Sequence, residues 1–174
     1  MRCVIATIAA VILLVVIAGA IFVFSGEYYI GADRSHSSAT SWVIAHLRDR
    51  SIEMHGSGIA VPAGLDSPDK IAAGASHFDE HCAVCHGAPG SGRGGFAKGL
   101  DPRPPDLRKV ISSYTPSELF WILKHGIKMT AMPSWADHSD DELWAIVAFL
   151  EKLPGMSDDD YTKLVATGRD KAQH

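Results

Sequence analysis

Cys82-Ala83-Val84-Cys85-His86 is the stretch that decides how this chain is read. Two thiols spaced C-x-x-C can form thioethers to the two vinyl groups of one protoporphyrin. A histidine directly after the second thiol then lies against the iron as an axial ligand. The motif predicts one covalently bound haem c, with Cys82 and Cys85 as attachment points and His86 as a metal ligand. Rival readings ask for residues the sequence does not supply. A structural zinc site needs four ligands, commonly a second Cys or His pair. The third cysteine, Cys3, lies in an apolar N-terminal run, which leaves His77 and His81 as awkward substitutes. A thioredoxin-like dithiol belongs at a strand-to-helix turn, whereas the residues leading into Cys82 read as helix. A purely structural disulfide is weaker still.

With 174 residues, a net charge of -4 and three cysteines, the chain suits one small domain plus an appendage and excludes a disulfide scaffold. From Val4 to Phe24 it is apolar apart from Thr7 and small residues, which is long enough to span the hydrocarbon of a bilayer. Ala18-Gly19-Ala20 offers an A-x-A site for cleavage as a secretory signal. The run continues through Ile21-Phe22-Val23-Phe24 beyond it, and that length favours an uncleaved anchor. Either fate exports the remainder. The single Arg2 favours an N-terminus in the cytoplasm, so the expectation is a single-pass protein of the cytoplasmic membrane with its haem motif facing the periplasm or outside. Cys3 precedes the apolar run, where a lipoprotein cysteine would follow it, and it receives no role.

Four segments follow: 1–25 as transmembrane anchor or signal peptide, 26–65 as tether and extra helix, 66–156 as haem domain, and 157–174 as an acidic, polar C-terminal tail. The stretch 39–54 reads as helix from Val43, Leu47 and Met54, with Trp42 and Ile44 nearby. His46 and His55 on it read as ordinary surface or packing residues. Ser67-Pro68-Asp69 starts a helix that runs to about His81, with Ile71, Ala75, Phe78 and Cys82 at helical spacing. Between Gly87 and Pro105, six glycines and four prolines predict a wrapped loop. Two capping boxes, Thr115/Glu118 and Ser139/Glu142, open helices closed by Gly126 and Pro154. The fold class is all-α, helices and long loops around the haem.

An electron carrier needs a second axial ligand downstream, and Met129, Met132 and His125 are the candidates. Pro133 pushes the residue before it away from helix, which places Met132 in an open loop from which a thioether can reach inward. Met129 is read as packing, and His125 as a helix C-terminal residue in favourable contact with the dipole. A His/Met pair favours ferrous iron and leaves no position for oxygen or peroxide. That argues for electron transfer rather than catalysis, so no enzyme activity is expected of the chain itself.

Residues 67–154 resemble the class I c-type cytochromes, in particular single-haem, membrane-anchored bacterial members. The resemblance rests on Gly74 and Phe78 ahead of the C-x-x-C-H motif, on Trp121 to Trp135 and on Asp141 to Pro154. It implies that the first and last helices cross at a small residue and an aromatic, here Gly74 and Phe78 facing Trp144 or Phe149. It also implies that a proline carbonyl accepts the Nδ1-H of His86, with Pro104 and Pro105 both candidates. Residues before Leu65 have no counterpart in the minimal family fold.

The implied partners are redox proteins at the outer face of the membrane, together with the lipid bilayer. A permanent place in a larger respiratory or dehydrogenase complex is the alternative, and a haem-based sensor or enzyme a more distant one. From Arg93 to Lys109 there are five basic and two acidic residues, against four and nine from Ala136 to His174. Arg93, Lys98, Arg103, Arg108, Lys109, Lys124 and Lys128 are thus candidates for steering an acidic partner to the haem edge. Nucleic acid is not expected, since the chain is acidic overall and has no basic helix.

Overall fold

The computed structural model describes residues 1–172 and divides the chain into two compact units, Met1–Ala32 and Asp33–His174. Among the described residues the regular elements are all helical. The first unit is helix α1, Arg2–Ser25, which buries none of its side chains within the protein and ends at Gly26 in the left-handed conformation, φ 69°. At 1.5 Å per residue it is about 36 Å long, enough to cross a hydrocarbon core of about 30 Å. It is the one described helix long and apolar enough to do so.

In the second unit, α2 (Ser38–Gly56) is capped by Ser37, whose hydroxyl accepts from the Thr40 amide. The apolar residues that suggested this helix are its exposed ones: Trp42, Val43, Leu47 and Met54 face solvent, and Ile52 is the large side chain it buries. The helix docks by its C-terminal end on α6 (Pro116–His125). Gly56 permits this approach, because a Cβ there would lie 2.9 Å from the Cα of Glu118. His55 stacks on Trp121 at 5.6 Å, and Ser117 donates to the Ile59 carbonyl at 2.8 Å.

Helix α3 (Pro68–His77) starts as its sequence dictates, with Ser67 as cap and Pro68 in the first turn. It does not run on to His81 as regular helix. From Phe78 to Cys82 the chain makes a π-helical turn, closed by the Ala83 amide on the Phe78 carbonyl, and a short α4 (Ala83–His86) follows. After the loop and α5 (Leu107–Val110) come α6 and α7 (Asp140–Leu150), each opened by a complete capping box. Helix α7 is the core: every side chain from Leu143 to Leu150 is buried. It crosses α3 at Gly74, where a Cβ would sit 1.8 Å from the Ala145 carbonyl oxygen, and Phe78 packs on Phe149 with ring centroids 5.0 Å apart. Phe149, not Trp144, is therefore the aromatic at the crossing, while Trp144 stacks on Phe120 at 4.3 Å.

The C-terminal segment is not a polar tail. Residues Asp158–Ala172 form α8, packed along α3 on a second glycine contact, where a Cβ at Gly168 would lie 2.0 Å from the Ala72 carbonyl oxygen. The acidic run 158–160 conceals this helix in a reading by composition. The three aspartates occupy its first turn, where the helix dipole favours them, and Ser157 accepts from the Asp160 amide at 3.1 Å. Tyr161 and Val165, one turn apart, are buried in the main core, and Leu164 packs at its edge.

Candidate functional site

In an unbroken α-helix Phe78, Cys82 and Cys85 would share one stripe, since offsets of four and seven residues return to the same face. The additional residue in the π turn displaces the two thiols around the axis, away from the stripe that packs α3 on α7. Phe78 stays at the crossing while Cys82 and Cys85 line a cavity together with His86. Asp79, inside the π turn, is held from α8: Tyr161 donates to its Oδ1 at 2.6 Å and Arg169 to its Oδ2 at 2.6 Å. Lys171 pairs with Asp69 at the other end of α3. This clasp is the part of the site that sequence reasoning missed, because its halves lie more than eighty residues apart and one was read as tail.

His86 donates its Nδ1-H to the Pro105 carbonyl at 2.9 Å, since a carbonyl can only accept. Of the two candidate prolines it is the second that holds the ring, and the bond leaves Nε2 as the ring nitrogen with a free lone pair. Burial holds His86 below the ordinary imidazole range, the Pro105 carbonyl works against that, and the charge of Arg93 adds to it. Burial, with Cys85 beside it, pushes the Cys82 thiol up to about 12. A thiol of that kind stays protonated at neutral pH, unlike the low-pKa thiolate of a redox dithiol. The loop after the motif is secured by the Gly94 amide on the Val84 carbonyl at 2.8 Å.

Residues of the loop between α6 and α7 line the same cavity. Met132 is partly buried and lines the same cavity as Cys82, Cys85 and His86. Its loop is pinned by the Ile127 amide on the Met132 carbonyl and by Thr130 Oγ1, which accepts from the Met132 amide. Met129 is 83% exposed, with φ 58°, and does not reach the cavity. His125 is exposed beside Trp121. The remaining walls are mostly apolar, including Leu123, Ile127, Ile146 and Leu150, with Arg48, Arg103, Tyr114 and Thr130 among them. Residues 69–150 match a family described as "Cytochrome C oxidase, cbb3-type, subunit III". The chain carries a c-type cytochrome domain. Comparison with curated proteins gave no match.

A cytochrome c domain implies haem c, and the residues present suit that group. Trp135 lines the cavity, and its Nε1 is buried with no hydrogen-bond partner among the described residues. The propionates of a haem are acceptors, the kind of group this donor lacks. In the cytochrome domain several of the basic residues have carboxylate partners. Arg108 and Lys109 share Asp106, and Lys124 pairs with Asp140 at 2.7 Å. Arg103 lies at the cavity itself.

Proposed function

We propose that this chain is a membrane-tethered carrier of single electrons with one covalently held haem. When bound, haem c supplies a one-electron couple between ferrous and ferric iron. Cys82 and Cys85 would anchor it by thioethers, and His86, oriented by Pro105, would offer Nε2 to the iron. Met132 would offer its thioether to the same iron, a donor that favours the ferrous state and raises the potential. The apolar side chains of α6, α7 and the loop between them exclude water. The single observation that carries this reading is that both thiols, His86 and Met132 meet at one cavity. Helix α1 supports the tether, and Arg2 supports an orientation with the haem domain outside the cytoplasm.

The test is spectroscopic. The oxidised protein should show a methionine-to-ferric-iron charge-transfer band that disappears in Met132→Ala, and the native ferrous protein should not bind carbon monoxide rapidly. Rapid binding by the unaltered protein would show an open coordination position and would sink the carrier reading in favour of a sensor or enzyme.

A second reading, a permanent subunit of a larger oxidoreductase, is favoured by the oxidase subunit named in the family description and by the exposed Trp42, Leu47 and Met54 on α2. Mild detergent solubilisation followed by sizing separates the two. A carrier elutes as one small species, whereas a subunit elutes with its complex.

A further inference from the structure

The loop that brings Met132 to the cavity returns through a turn in which the His138 amide donates to the Trp135 carbonyl at 3.1 Å. This turn sets His138 against His77 at the end of α3 and His81 in the π turn. The three ring pairs have centroids 5.9 to 6.2 Å apart, and one nitrogen from each ring lies within 4.8 Å of the others. Three imidazoles brought together from two separate stretches of chain cost charge repulsion whenever they are protonated. Their hydrogen bonding does not account for the arrangement. His77 Nδ1 is fully buried and has no hydrogen-bond partner among the described residues.

Each of the three rings has a carboxylate near one of its nitrogens, and that of His138 is within hydrogen-bond distance. A coordinating histidine characteristically turns its second ring nitrogen to a carboxylate or carbonyl. Here His138 Nδ1 meets Asp137 Oδ1 at 3.1 Å, His77 Nε2 faces Glu142 Oε1 at 4.0 Å, and His81 Nε2 faces Glu80 Oε2 at 3.9 Å. The orphaned Nδ1 of His77 is then the donor left for an ion. Three imidazoles with carboxylates behind them suit a borderline divalent ion.

We propose that His77, His81 and His138 form a second metal site, distinct from the haem iron, for an imidazole-preferring divalent ion such as Zn²⁺ or Cu²⁺. The ion bridges the haem-bearing helix to the loop that carries Met132, and so pins that loop independently of any bond to haem. The site does not depend on which residues ligate the haem.

Full-length holoprotein in detergent, stripped with chelator and titrated with Zn²⁺ by calorimetry, should take up one ion per chain. Zn²⁺ should also raise its melting temperature. His77→Ala and His138→Ala should each weaken binding at least tenfold while leaving the visible haem spectrum unchanged. With Cu²⁺ on the ferric protein, electron paramagnetic resonance should show nitrogen hyperfine coupling that His138→Ala removes. His138→Gln, on the loop, carries the test alone if His77→Ala disturbs folding. Failure to take up one ion per chain, or uptake that both His138 variants leave intact, overturns the proposal.

Discussion

Met129 and Met132 lie three residues apart in one loop, and their environments separate them. Met132 lines the cavity, whereas Met129 projects outward in a left-handed backbone conformation. Met129→Ala should therefore leave the charge-transfer band in place, a direct contrast to Met132→Ala in the same optical measurement. Pro133 is the sequence signal for the open backbone at Met132, because a residue before proline is kept out of helix. Tyr161 was not legible. Its hydroxyl serves Asp79, and Tyr161→Phe should destabilise the domain by about 1.5–3 kcal/mol, the range for a bond to a charged acceptor, read from denaturant midpoints. Burial, with the neighbouring Asp79 carboxylate, also raises the pKa of this phenol well above the tyrosine range. Because the folded value exceeds the unfolded one, its contribution is complete below about pH 10 and is lost as pH climbs through the folded value. Tyr161→Phe should flatten that alkaline part of the stability profile.

At the scale of elements, the domain is organised about α3, which has one neighbour in α7 and another in α8. Each packs at backbone distance through a glycine. Gly74→Ala would drive a methyl into the Ala145 carbonyl, and a loss of about 3 kcal/mol or more is expected on thermal or chemical unfolding. The α3–α7 crossing was readable only through the resemblance to class I c-type cytochromes, which assigned Gly74 and Phe78 to it. Both capping boxes were plain from the residues themselves. The π turn could not be read, since one additional residue in a turn leaves no trace in apolar periodicity. The loss of α8 in a reading by composition has a different cause. Three aspartates and a low apolar content mask a narrow stripe of Tyr161, Leu164, Val165 and Gly168, whose glycine member adds nothing to hydrophobicity while setting the contact.

For the whole molecule, the cavity shares its walls with the buried core, with Cys82, Phe78 and Leu123 belonging to both. A domain of this size is near the limit at which a cofactor is needed to complete a core. The Cys82→Ala, Cys85→Ala double variant should be largely unfolded, with a helical circular dichroism spectrum as the result that would contradict this. Association with an electron-transfer partner should slow as salt is added if cationic residues such as Arg103 guide it. A bimolecular rate indifferent to ionic strength in stopped-flow would rule such guidance out.

The clasp on Asp79 has a consequence for biogenesis. Its donors, Tyr161 and Arg169, are 82 and 90 residues further along the chain, and α7 is likewise distant from α3. During synthesis the segment bearing both cysteines emerges well before either of its packing neighbours, α7 and α8. On the covalent attachment proposed above, the thiols stay uncovered through that interval, and docking of α8 shuts the door behind the pigment.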